Sequence, residues 1–299
     1  MTMSPGATER PPGAAAHPTG AASHPSAGPA GADLTDAKYW EGVWKGKGSR
    51  VWADLGWVFR HIAWTTLDRI LAARLPRQGQ RRLLEVGCAS GKWLVYFHRR
   101  FGFAVTGCDY SETGCQIARR NLTAAGVPGE IVQQDLFTMA PGGYEVVFST
   151  GLIEHFTDAR GVVGKLASAL EPGGTLVTVV PNLSGLSGAY HRWLKPETFD
   201  THRVVTLEQL HTWHRDAGLV DVEAGALGSV VPFRFPRDKV RRRLPRLYRV
   251  LWTCGLGPMT WASNRLCLTA FTRAGVRLDG PRFSPYLYAI GVRPAATRS

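Results

Sequence analysis

The chain has little of what would anchor it in a membrane or an oxidising compartment. No uninterrupted apolar run in its 299 residues approaches the length of a bilayer span. Its five cysteines (88, 108, 115, 254 and 267) include no C-x-x-C pair and its histidines do not cluster, so neither a disulfide framework nor a metal site is expected. The first 33 residues contain no leucine, isoleucine, valine or aromatic residue and are mostly Ala, Pro and Gly. Such a segment buries too little apolar surface to offset the entropy of ordering, so residues 1–33 read as a disordered tail. Lacking an apolar central region, the tail does not read as a secretion signal, and a cytoplasmic chain is expected. Acids are also scarce, 23 against 36 lysines and arginines, which leaves a net charge of +13. A basic balance predicts affinity for phosphates and other anions but specifies no reaction.

What is present is a stretch of strand, turn and helix signals from residue 82 onward. Leu83-Leu84-Glu85-Val86-Gly87-Cys88-Ala89-Ser90-Gly91 reads as a buried strand running into a glycine turn that opens a helix. Gly87 allows a tight reversal, and Gly91 removes a Cβ where a ligand would lie close to the helix N-terminus. A dinucleotide fingerprint requires G-x-G-x-x-G, yet Ala89 and Lys92 stand at the second and third glycine positions. Glu85 within this strand and turn would repel a pyrophosphate and attract a cation.

Two more acids close later strands. Phe103–Asp109 ends on Asp109, where α/β nucleotide folds place the acid that takes both ribose hydroxyls. Ser111 and Glu112 suit a helix cap and first turn. Ile131–Leu136 carries Asp135, positioned to accept from an adenine amino group. Tyr144–Thr150 reads as a fourth strand, and Leu170–Leu176 as a helix stop, a turn and a fifth strand. A helix over Thr206–Ala217, a strand over Val220–Ala226, an insertion over 235–277 and a closing strand over Phe283–Val292 complete residues 34–299 as one domain. Val51–Leu75 is a helix-compatible apolar stretch, preceded by Tyr39, Trp40 and Trp44. Strands alternating with helices imply a parallel sheet covered on both faces.

With these residues in place, the chain resembles the class I S-adenosylmethionine-dependent methyltransferases, its specific motifs lying between Leu83 and Asn182. The resemblance implies a Rossmann-like α/β fold with a seven-stranded sheet in the order 3-2-1-4-5-7-6 and an antiparallel last strand. It implies that Glu85, Gly87 and Gly91 hold the methionine end of S-adenosylmethionine, and that Asp109, with Tyr110 after it, holds the ribose. Asp135 and Leu136 would frame the adenine, and Thr150 would pass beneath the sulfonium. Trp40 would belong to an N-terminal helical lid that shields it from water.

Methyl transfer is an in-line displacement, so the protein supplies alignment and, where the nucleophile carries a proton, a base. Gly151-Leu152-Ile153-Glu154-His155-Phe156 follows the fourth strand at the reactive end and offers His155. His155 is either that base or an orienting residue of the loop. Thr201-His202, ahead of a Thr-capped helix, resembles the corresponding segment of ubiquinone-biosynthesis O-methyltransferases, in which the histidine faces the active site. His202 is therefore the second candidate. The segment after the fourth strand lacks the Asn/Asp-Pro-Pro-aromatic signature of base-amine methylation, and no cysteine follows a proline, as carbon-5 cytosine chemistry requires. A small aromatic or lipophilic acceptor from secondary metabolism is thus expected rather than a nucleic acid, with oxygen favoured over nitrogen or carbon. Eight basic residues and one acid between Arg234 and Arg249 mark a possible contact with an anionic substrate, an acidic carrier protein or a membrane surface.

Overall fold

The computed structural model describes residues 34–46, 54–59, 61–75, 81–194, 196–228 and 280–296, with Met259, Ala262, Leu266, Thr269, Arg273 and Ala274. The expected tail, the basic run 234–249 and most of the insertion 235–277 lie outside the described residues. Helix α1 (Ala37–Gly46) begins after Asp36, whose carboxylate accepts from the Tyr39 N–H at 2.7 Å. The helix-compatible apolar stretch carries α2 (Gly56–Phe59) and α3 (Ile62–Arg74), with His61 at the N-cap of α3 in extended backbone.

Strand β1 (Arg82–Val86) runs into α4 (Lys92–Phe101), β2 (Ala104–Asp109) into α5 (Glu112–Ala125), and β3 (Gly129–Gln133) into β4 (Tyr144–Thr150). Helix α6 (Ala159–Ser168), β5 (Leu170–Pro181), α7 (Leu186–Leu194), α8 (Leu207–Asp216), β6 (Val220–Leu227) and β7 (Tyr286–Val292) follow. The seven strands form one sheet in the order β3-β2-β1-β4-β5-β7-β6, with β7 antiparallel to both neighbours. Among the described residues, no helix is long and apolar enough to cross a membrane.

Side chains alternate across this sheet. Leu83, Val105, Phe148 and Val177 face α3, α4 and α5, whereas Leu84, Val86, Val147 and Leu176 face α6 and α8. Each side chain fully buried in this way contributes about 1.5–3 kcal/mol. Helix α4 shows why this sequence is helical. Its Trp93, Leu94, Val95, Tyr96 and Phe97 are all buried, while His98, Arg99 and Arg100 sit in the last turn, where the helix dipole favours cations. Ser111 caps α5 by accepting from the Gly114 N–H, Asp158 caps α6 through the Gly161 N–H, and Thr206 with Gln209 forms a reciprocal capping box on α8.

Two boundaries differ from the sequence reading. Strand β5 already begins at Leu170, which pairs with Tyr144 before the register jumps to Val146 opposite Thr175. Pro172-Gly173-Gly174 is therefore part of an irregularity inside the strand and not a turn ahead of it. The closing strand starts at Tyr286 instead of Phe283, because Phe283 and Ser284 donate backbone bonds to Gly280 in a turn.

Candidate active site

All five parallel strands end on one edge of the sheet, and the acids singled out above lie there in order. Glu85 is 2% exposed, and its Oε2 has no hydrogen-bond partner. Burial pushes its carboxyl well above the usual carboxylate range, against the pull of the nearby Lys92 ammonium. A buried carboxylate oxygen without a partner suits a cationic ligand group, and S-adenosylmethionine brings two cationic groups. Asp109, also buried, accepts from the Ala89 N–H at 3.0 Å and the Ser111 N–H at 2.9 Å, one on each oxygen. The turn after β1 is thereby tied to the end of β2. Burial raises the Asp109 carboxyl to about 6.

Gly87 and Gly91 both hold positive φ, +77° and +66°. The reason for Gly91 differs from the one expected. A Cβ there would meet the Ala118 backbone at 3.0 Å and Leu122 at 3.1 Å, so the glycine is required by the close approach of α5 and by its left-handed backbone, not by ligand clearance. Ala89, where a fingerprint would have glycine, is accommodated across the turn by Gly114, whose own missing Cβ would lie 3.0 Å from that of Ala89.

At the end of β3, Asp135 is exposed and its carboxylate accepts from the Phe137 N–H at 2.9 Å, while Leu136 is buried beside it. Tyr110 and Thr150 are half-buried at the ends of β2 and β4. Trp40 lies on α1, where it and its neighbour Glu41 reach segments that follow two different strands. After β2, the Glu41 carboxylate accepts from the Ser111 hydroxyl at 2.7 Å and from the Thr113 N–H and hydroxyl. After β4, the Trp40 ring meets His155 edge-on, with centroids 4.8 Å apart. Just before α1, the Leu34 N–H donates to the His155 carbonyl at 2.7 Å. Glu41 was not legible in the sequence, because nothing local links it to a turn some seventy residues away.

The loop after β4 is joined to the loop before α8. The Arg203 N–H donates to the Glu154 carbonyl at 2.7 Å, and the Arg203 guanidinium donates to the Thr157 carbonyl. This pairing brings His155 and His202 together, with ring centroids 4.3 Å apart. His155 Nδ1 lies 2.7 Å from the Thr201 carbonyl, which can only accept, so Nδ1 carries the proton and the Nε2 lone pair is available. Burial, followed by the proximity of His202, lowers the imidazole to about 4. Glu154, Oε1 of which is 4.0 Å from His155 Nε2, is 1% exposed. Glu154, His155 and His202 each offer a ligand atom within 4.8 Å of the others, a set that can take a divalent ion.

Burial raises the Glu154 carboxyl to about 8. The folded protein therefore keeps this proton over a range in which the unfolded chain has lost it. Stability contributed by the neutral carboxyl is complete at low pH and falls as pH rises through about 8. Glu154→Gln should raise the melting temperature relative to the wild type by about 5 °C at pH 8.5, with little change at pH 5, as read by scanning calorimetry. An equal shift at both pH values would contradict the assignment of a buried neutral acid.

Known proteins resemble this arrangement. A family described as "Methyltransferase domain" matches residues 58–224. The ubiquinone biosynthesis O-methyltransferase of Cereibacter sphaeroides is 30% identical over 179 residues, covering 56% of this chain and 71% of that protein. Haemonchus contortus phosphoethanolamine N-methyltransferase 2, solved with phosphomonomethylethanolamine and S-adenosylhomocysteine, superposes with a TM-score of 0.51 at 17% identity. It covers 77% of this chain, which spans about half of that protein (52%). The cyclase SpnF superposes with a TM-score of 0.51 at 18% identity, over 78% of this chain and 82% of its own. At such identities the two structures show the shared fold and nothing finer. The family match, the sheet order and the acids at the strand ends agree, and the chain belongs to the class I S-adenosylmethionine-dependent methyltransferases.

Proposed function

We propose that this enzyme methylates an oxygen of a small aromatic or lipophilic molecule, with His155 receiving the acceptor's proton. The observation that carries this reading is the Nδ1–H bond of His155 to the Thr201 carbonyl, 2.7 Å long, which leaves Nε2 as a fixed proton acceptor after β4. S-adenosylmethionine supplies an electrophilic methyl carbon when bound. Glu85 would neutralise its ammonium, Asp109 and Tyr110 would hold the ribose, and Asp135 with Leu136 would take the adenine edge. Gly87 and Gly91 would shape the turn beneath the methionine end, and Thr150 would pass beneath the sulfonium. Helix α1, fixed through Glu41 and Trp40, acts as the lid that excludes water. His202 sits against His155 and is the second group able to accept the proton. The ubiquinone relative, named as an O-methyltransferase, supports oxygen as the acceptor.

The test is transfer from methyl-labelled cofactor to a panel of catechols, phenols, amines and carbon acids, followed by mass spectrometry. Methylation at oxygen, with the hydroxylated members preferred, is expected. Transfer only to nitrogen or carbon would replace this reading with an N- or C-methyltransferase.

A further inference from the structure

Lys92 is the first residue of α4, directly after the glycine turn. A cation there opposes the helix dipole, which favours anions at an N-terminus, so the position needs a reason. The surroundings supply one. Its Nζ lies 5.0 Å from the ring centroid of Trp57, 5.9 Å from Trp64 and 5.8 Å from Trp93. The indoles brace one another edge to face, with Trp93 4.7 Å from Trp57 and 5.2 Å from Trp64. Trp93 and Trp64 are buried, at 1% and 8% exposure. Three ring faces and edges thus fix an ammonium beside a helix N-terminus and beside the buried Glu85.

The result is a complementary pair at one end of the cofactor site, the buried Glu85 carboxyl with an unpartnered oxygen and the Lys92 ammonium on an indole platform. An α-amino acid zwitterion carries the complementary pair. We propose that Lys92 binds the α-carboxylate of the cofactor's methionine moiety, together with the backbone N–H groups at the start of α4, while Glu85 binds the α-ammonium. The inference rests on the assignment of the β1 turn as the cofactor site. Trp57, Trp64 and Trp93 are positioning residues, which keep the ammonium on the carboxylate. A lysine serving only as counter-ion to Glu85 would be indifferent to whether the ligand has a carboxylate, and this difference is measurable.

The experiment is calorimetric titration of the full chain and of Lys92→Met and Lys92→Arg with three ligands. These are S-adenosylhomocysteine, its decarboxylated analogue, and 5′-methylthioadenosine, which lacks the whole amino-acid end. Lys92→Met should weaken S-adenosylhomocysteine by ten- to a hundredfold and leave methylthioadenosine unchanged, which also shows that the variant is folded. The decarboxylated analogue should bind Lys92→Met as well as or better than the wild type, and Lys92→Arg should keep most of the affinity for the zwitterion. Equal losses for all three ligands, or no loss for any, would overturn the proposal. If Lys92→Met fails to fold, the wild type and Lys92→Arg decide alone: the wild type must prefer the zwitterion to the decarboxylated analogue by at least tenfold. Asp109→Ala separates the two levels of inference. Unchanged binding of every ligand to Asp109→Ala would remove the cofactor site itself, whereas lost binding there with no effect at Lys92 would remove only the role of Lys92.

Discussion

Asp109→Ala is expected to weaken S-adenosylhomocysteine binding by about 2–4 kcal/mol, or roughly thirty- to a thousandfold. Two effects add. The first is the loss of a carboxylate that would accept both ribose hydroxyls. The second is release of the Ala89 and Ser111 N–H groups, which Asp109 now holds at 3.0 and 2.9 Å. Asp109→Asn separates them only in part, because its amide nitrogen would confront one of those N–H donors. The pH dependence gives a second reading. With the carboxyl raised to about 6 by burial, the stronger, ionised acceptor is lost as pH falls through that value. Affinity in the wild type should therefore decline below pH 6, and Asp109→Ala should not show this step. Calorimetry that finds wild-type affinity in Asp109→Ala would sink the assignment of the ribose site.

The parts of this fold that were legible in the sequence are those written in local chemistry. Strands buried on both faces are short runs such as Leu83–Val86 and Val146–Phe148, and the helix starts carry side chains that bond their own backbone, as Ser111, Asp158 and Thr206 do. Strand ends carry the acids, because that edge is where the chain turns into helices and leaves room for a ligand. The parts that were not legible depend on contacts between distant segments. Glu41 reaches Ser111 and Thr113 across the top of the sheet, and no local pattern predicts it. Gly91 looked like a ligand-clearance glycine, since the sequence does not show that α5 presses on it. His155 and His202 stand forty-seven residues apart in the sequence, and their contact is created by two backbone-linked loops. Lys92 read only as a departure from a glycine pattern, because the three tryptophans around it come from α2, α3 and α4.

His155→Ala should lower turnover by about 10²- to 10⁴-fold, the usual contribution of a general base, while leaving cofactor affinity unchanged. The split between rate and binding is the informative part. A residue that only held the lid through its edge contact with Trp40 would raise the Michaelis constants and loosen cofactor binding together. A base changes the chemical step alone. Because burial and His202 lower the imidazole to about 4, it stays neutral across the physiological range, with its Nε2 lone pair unprotonated before the acceptor binds. The wild-type rate should therefore show no fall between pH 7 and pH 6 from this group, and the decline should set in only as pH approaches 4. His202→Ala should lose less than His155→Ala if His202 serves as the neighbour that tunes the base, and comparably if the two share the proton. Activity that survives exhaustive chelation is expected, since proton acceptance by His155 needs no ion. Losses below tenfold in both variants would mean that alignment and an already ionised acceptor suffice, and would move the chemistry away from a base after β4.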